Sequence, residues 1–350
     1  MSDDVYIRLR EFLDALPGGF PATDSGVEIK ILKRYFTPDE AELAMQLSRM
    51  PEPPAAIALR IGADPDELAA KLEKMASEGS IYRIRIDGLP YYMAMQFLVG
   101  IYEFHLKAMD RELAEMLEEY LPNLMREWEN VETKQLRVVP VDASIDTTMA
   151  VATYDTAREL VMAQDAFAVA DCICRKEAQL TDKGCEHPME SCLTFGYAAR
   201  YYIENGIGRE ITLAECLEIL DRAEKNAMVV CPSNSQVIMN ICTCCGDSCN
   251  FLKSMKTYDR PADHASSTYQ ASIDPDVCSA CGTCLERCQM EAIVEGDVME
   301  VDLARCIGCG LCAVTCADEA ITLIEKAGVK EPPANFIEMQ VRISTERGLV

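Results

Sequence analysis

Residues 277–293, VCSACGTCLERCQMEAI, and residues 305–321, RCIGCGLCAVTCADEAI, carry eight cysteines in two runs of one spacing, C-x2-C-x2-C-x3-C. The second run repeats the first 28 residues on, and the match extends past the cysteines: Gly282 answers to Gly310, Glu291 to Glu319, and Ala292-Ile293 to Ala320-Ile321. The segment is an internal duplication. Three closely spaced thiolates on a tight loop suit three corners of an iron–sulfur cube, while the fourth, carried away on a short helix, points toward the opposite half. The expected pairing therefore crosses. Cys278, Cys281, Cys284 and Cys316 would hold one 4Fe-4S cluster, and Cys306, Cys309, Cys312 and Cys288 the other. Zinc also takes four thiolates, but x2 spacings repeated three deep are an iron–sulfur habit rather than that of a zinc ribbon. Disulfides suit the pattern worse, since cysteines this close pair badly and nothing in the sequence points to export.

Over roughly residues 272–328, about a sixth of the chain, these motifs resemble the bacterial two-cluster ferredoxins. The resemblance implies a ferredoxin-like C-terminal domain that passes single electrons. That family usually has proline after the fourth cysteine of each run, where this chain has Gln289 and Ala317. The departure touches no ligand.

A chain of 350 residues with 49% apolar composition has room for two or three domains with real cores. Its 58 acidic and 33 basic side chains give a formal charge of −25. Nucleic acid and anionic membranes both want basic patches, so neither is an expected partner. Each thiolate-bound 4Fe-4S cluster adds about −2 more. The expected partner is a redox protein with a basic docking surface. MSDDVYIRLREF has neither a basic start nor a long apolar run, so it reads as no secretory signal. The longest nearly uncharged apolar stretch, 91–102, is too short to span a bilayer, which takes about 20 residues. These features point to a soluble cytoplasmic protein without membrane insertion, in which 18 cysteines mean metal or redox chemistry.

Along the chain the expected fold class is α+β and multidomain. Residues 1–100 begin with an amphipathic helix carrying Val5, Leu9, Phe12 and Leu13, stopped by Pro17-Gly18-Gly19. Thr37-Pro-Asp-Glu40 is a capping box leading to Leu43, Leu47 and Met50. A short helix near 54–61 follows, and Asp64 caps a third with the stripe Leu68, Leu72 and Met75, ended by Gly79. IYRIR and YYMAM flank the turn Asp87-Gly88-Leu89-Pro90. Three helices and a hairpin look like a winged-helix domain. Many such domains read DNA with the third helix, but residues 59–79 set Arg60, Lys71 and Lys74 against Asp64, Asp66, Glu67, Glu73 and Glu78, a net of −2, and the wing adds only Arg83 and Arg85. A scaffold or protein-docking module is the better reading.

Residues 101–255 read as a mixed α/β, cysteine-rich middle domain. Leu106, Met109, Leu113, Met116 and Leu117 recur at helical spacing, with Trp128 near the end. After LRVVPV, read as a short strand, come a helix over 155–164, a buried strand over 166–170, a helix over 193–204 and another opened by Thr212-Leu-Ala-Glu215. Between them lie Cys172, Cys174, Cys185, Cys192, Cys242, Cys244, Cys245 and Cys249, a second candidate metal region. Eight thiols suffice for two 4Fe-4S clusters, for one with spare thiols, or for a four-thiolate zinc site. Cys244 and Cys245, being adjacent, point in different directions. Cys216 and Cys231 read as ordinary buried cysteines, His187 as a hydrogen-bond donor to a neighbouring sulfur in preference to a metal ligand, and His105 and His264 as structural or exposed. The order of motifs, C-x-C-R and C-x-C-C ahead of the eight-cysteine repeat, resembles a group of anaerobe iron–sulfur proteins. This implies electron-transfer work and names no partner; from the thiols, one or two further 4Fe-4S clusters are expected within 172–249.

Residues 256–350 comprise the two-cluster domain, with 250–270 read as its polar linker and a tail after Lys330 whose place the sequence leaves open. No dinucleotide loop, P-loop, nucleophile elbow or zinc-protease helix appears, so no catalytic residue is nominated. The leading expectation is an electron-transfer protein or the electron-transfer subunit of an oxidoreductase. The alternatives are an iron–sulfur enzyme whose upstream cluster binds substrate, and a redox-responsive DNA-binding regulator.

Overall fold

The computed structural model describes residues 2–144 and 153–350. Helices and small sheets alternate along the chain in an α+β arrangement. Helix Ser2–Asp14 buries Val5, Leu9 and Leu13. The helix Val27–Tyr35 has no counterpart among the expectations: it starts after Gly26, which has no side chain to cap with, so the usual N-cap signal is missing. Thr37 opens helix Pro38–Ala44 through the complete capping box, but this helix ends before the expected stripe does, leaving Met50 exposed. Helix Pro54–Ile61 follows. Asp64 then accepts the amides of Asp66 and Glu67, both at 3.0 Å, to start helix Pro65–Glu78. Strands Tyr82–Ile86 and Leu89–Met93 pair across a tighter turn than expected, with only Asp87 and Gly88 outside the ladder and both at positive φ. Asp-Gly favours that two-residue hairpin.

The core under these elements extends past residue 100. It takes in Tyr102, Leu117 and Tyr120, the last two from helix Arg111–Glu129, and Tyr201 from helix Gly196–Glu204. The Tyr201 hydroxyl donates to the carbonyls of Ala76 at 2.7 Å and Ile81 at 3.1 Å, fastening the hairpin to the middle of the chain.

His105 sits inside this core, stacked on Tyr35 with centroids 3.9 Å apart, its Nδ1–H donating to the Ile101 carbonyl at 2.7 Å. Burial lowers its pKa from 6.5 to about 4. As pH falls below 6.5 the unfolded chain takes up a proton that the folded chain refuses, so stability is lost toward acid. The loss at pH 5 is about 2 kcal/mol. Chemical unfolding at pH 7.5 and 5 is expected to show that extra loss in the native protein and not in His105→Asn; equal losses would show that the ring titrates freely.

Five antiparallel strands form the middle sheet, in the order Arg209–Glu210, Phe167–Asp171, Glu190–Phe195, Asn240–Cys244, Val229–Pro232. Residues 193–195, expected to be helical, belong to the third of these strands. Leu193, Thr194 and Phe195 are all buried there, and the helix begins only at Gly196, which turns the chain at φ 55°. The helix expected over 155–164 is shorter, Ala157–Met162, because the Asp155 carboxylate is engaged by Arg137 at 3.2 Å and Thr268 at 2.7 Å. LRVVPV makes isolated bridges rather than a strand, Leu136 with Ser233, Arg137 with Ser266 and Val139 with Val230. The polar stretch after Cys249 is structured, with helices Asn250–Lys256 and Pro261–His264. One further core joins this sheet to the cysteine repeats, from Val138 through Ile241 and Leu252 to Leu311 and Leu323.

The duplication is visible in the backbone. Cys278 and Cys306 donate their amides to the carbonyls of Asp274 and Asp302, at 3.1 and 3.0 Å. Glu291 and Glu319 both have positive φ, at 56° and 53°. Ile273 pairs with Ile321 and Val301 with Ile293, each pair being the other with the two repeats exchanged. The two halves are thus related by an approximate two-fold axis. The tail packs back on the body through helix Phe336–Glu346, and Arg347 donates to the carbonyls of Asp14 at 3.1 Å and Leu16 at 2.7 Å. Among the described residues no helix is long and apolar enough to cross a membrane.

Candidate metal centre

Antiparallel pairing sets Ala170 opposite Cys192, Cys192 opposite Cys242, and Cys242 opposite Cys231. Residues directly opposite in a ladder share a face, so these thiols form one row across the sheet. Cys244, two residues on from Cys242, lies on the same face. Over that row sits the helix Ile173–Leu180, with Cys172 at its N-cap and Cys174 in its first turn, and its positive end favours anionic sulfur. Cys249 is the N-cap of helix Asn250–Lys256.

The result is one cavity of about 120 Å³ walled by Cys172, Cys174, Cys192, Cys242, Cys244 and Cys249. Neighbouring thiols touch around it: Cys172 with Cys174, Cys174 with Cys249, Cys249 with Cys244, Cys244 with Cys242, and Cys242 with Cys192. The adjacent Cys174 thiol, and then burial, push Cys172 well above the ordinary thiol range; Cys242 and burial do the same to Cys192. A positive centre in the cavity would reverse both effects. The rest of the wall is mainly apolar, with Trp128 on it, and includes Glu103, whose carboxyl burial pushes up to about 8 while accepting the Gly100 amide at 2.7 Å. Beside it Val99 holds φ 56°, an outlying conformation for a β-branched residue that fixes this wall by strain.

Arg175 binds the site together. It is 1% exposed, and its guanidinium donates to the carbonyls of Pro188 and Thr243, both at 2.9 Å, while lying beside the thiols of Cys172, Cys245 and Cys244. Of the eight candidate cysteines of this region, Cys185 and Cys245 are not on the cavity. They meet each other instead, sulfurs 3.6 Å apart. The His187 ring faces Asp247 at 3.6 Å, while its backbone amide bonds the Cys185 sulfur. Cys231, read as an ordinary core cysteine, lies against Cys244 without lining the cavity, while Cys216 is buried in helix Leu213–Lys225. The signal that could have placed Cys231 is its strand, which pairs along its length with the strand that carries Cys242 and Cys244.

In the repeats, Cys288 lines a second, smaller cavity with Cys306, Cys309 and Cys312, all other lining atoms belonging to apolar residues or glycine. Burial, and then the charges of Cys306, Cys288 and Cys284, push Cys312 up to about 12. Amides point at sulfur here: Ala292 donates to Cys288 at 3.2 Å and Ala271 to Cys306 at 3.4 Å. Cys284 lies near Cys278 and Cys281 in the other half. The Ser279 hydroxyl reaches the Asp318 carboxylate, drawing that loop to the segment that carries Cys316.

The two cysteine regions touch. Gly246, next to Cys245, donates its amide to the Gln289 side chain at 2.6 Å, and Lys256 pairs with Glu291 at 3.1 Å. This gives Gln289 a task at the position where two-cluster ferredoxins usually carry proline. A Cβ at residue 246 would meet the Gln289 carbonyl oxygen at 2.5 Å. Gly246→Val is therefore expected to force the regions apart at a cost of about 1–3 kcal/mol. Gln289→Pro leaves the amide without its acceptor, and a buried unsatisfied donor costs a similar amount, about 1–3 kcal/mol. Anaerobic unfolding midpoints check both; unchanged midpoints would show that this contact is loose.

Compared with family models, curated proteins and solved structures, the chain matches none.

Proposed function

We propose that the chain is an iron–sulfur electron-transfer protein, or the electron-transfer subunit of an oxidoreductase, with a ferredoxin-like C-terminal module and a third centre in the 172–249 region. The observation that carries this reading is Cys288, which stands 18 residues before Cys306 yet lines the same cavity as Cys306, Cys309 and Cys312. Four soft thiolates in an otherwise apolar wall suit an iron–sulfur core better than a hard cation. The approximate two-fold then supports the mirror set, Cys278, Cys281, Cys284 and Cys316. When bound, each such cluster supplies a one-electron couple.

This chain's own residues do the rest. The amides of Ala292 and Ala271 stabilise charge on the sulfurs of Cys288 and Cys306. Arg175 offsets the charge of the upstream thiolates. The Gly246–Gln289 bond holds the upstream thiols within reach of Cys288. Six thiols face the upstream cavity, too few for two complete four-thiolate cubes, which supports a single centre there. The wall beside them is mainly apolar, which favours, as a second reading, a substrate bound at this cavity.

The N-terminal helices and hairpin are read as a winged-helix-like docking module. Arg83 and Arg85, the cations of its hairpin, are both engaged by Glu73 and Glu204, which weakens a DNA-reading role. Anaerobic protein titrated with reductant and followed by EPR should take up single electrons in steps, with magnetic interaction between the two centres of the repeats. Zinc in place of iron, or no one-electron couple, would overturn the proposal. The sole tryptophan, Trp128, lines the upstream cavity and should lose fluorescence when that cavity is loaded.

A further inference from the structure

The pair left outside the cavity has its own surroundings. Cys185 and His187 come from the loop before strand Glu190–Phe195, and Cys245 and Asp247 from the loop after strand Asn240–Cys244, so a Cys-x-His and a Cys-x-Asp face each other. The sulfurs are 3.6 Å apart, and a carboxylate oxygen of Asp247 lies within 4.8 Å of both. The His187 Nε2 is 3.6 Å from the Asp247 carboxylate.

We propose that Cys185, Cys245, Asp247 and His187 form a mononuclear site for zinc or a similar tetrahedral divalent ion, separate from the iron–sulfur centres. Zinc–sulfur bonds of about 2.3 Å at a tetrahedral angle put two sulfurs about 3.8 Å apart, close to the spacing seen. Calcium and magnesium take all-oxygen shells and do not suit two thiolates. A cubane does not suit the set either, since only two of the four donors are sulfur. Charge balances as well: two thiolates and one carboxylate carry −3, offset by a dication and the buried Arg175 guanidinium beside Cys245. Closure would draw the Asp247 side chain, 61% exposed, and the His187 ring inward toward the two sulfurs.

The test uses full-length, iron-loaded protein, treated with a chelator and titrated anaerobically with Co2+. The expected result is one Co2+ per chain with the visible absorption of a tetrahedral ion and a thiolate charge-transfer band, displaced by Zn2+. Cys245→Ser should abolish it. Asp247→Asn, an exposed change that leaves the fold alone, should weaken it by about tenfold or more without altering iron content. No stoichiometric uptake, or uptake unchanged in Cys245→Ser, would overturn the proposal. So would loss of iron together with Co2+ in Asp247→Asn, which would put these residues on a cluster instead.

Discussion

Arg175→Met is expected to strip the iron held between residues 172 and 249 while leaving the iron of the C-terminal repeats in place. The side chain is buried among thiols and ties three pieces of chain together: the helix that carries Cys174, the Pro188 loop and the strand that carries Thr243. Its removal takes a buried donor from the Thr243 carbonyl, at about 1–3 kcal/mol, and leaves the Pro188 carbonyl to the Ser191 hydroxyl. It also takes a positive charge from beside Cys172, Cys245 and Cys244. Arg175→Lys keeps the charge but not the fork that spans both carbonyls, so an intermediate loss is expected. Iron analysis with EPR of the reduced protein reads this directly. Full upstream iron in Arg175→Met would show that the guanidinium is structural filler.

Cys288→Ser is expected to erase the same EPR component as Cys309→Ser, and Cys281→Ser the same component as Cys316→Ser, each variant losing about four irons. Sequence proximity predicts the opposite grouping, since Cys288 belongs to the run of Cys278, Cys281 and Cys284. The geometry overrides proximity because the fourth cysteine of the first run sits on the second cavity. The two-fold relation of the repeats carries the same exchange to Cys316. Loss of different components by Cys288→Ser and Cys309→Ser would refute the crossed set.

Much of this was legible in the chain because it rests on spacing. The 28-residue repeat reappears in the backbone as matched turns at Asp274 and Asp302. The divergence of Cys244 and Cys245 follows from the alternation of side chains along a strand: Cys244 faces the cavity and Cys245 meets Cys185. What stayed hidden depends on pairing between distant segments. Cys231 looks like any buried cysteine until its strand is set beside Cys242. Residues 193–195 carry an apolar pattern that suits a helix as well as a buried strand, and only the ladder decides. The tail had no motif to place it, yet Arg347 anchors it to the end of the first helix. The task of Gln289 is likewise invisible without Gly246 beside it.

The central claim is that this chain holds two clusters in its repeats and a third upstream. Iron and acid-labile sulfide per chain, measured on anaerobically purified and fully loaded full-length protein, test it most directly. The account predicts about twelve of each, three cubes of four. Eight or fewer of each in a fully loaded sample, or zinc in place of the upstream iron, would contradict it.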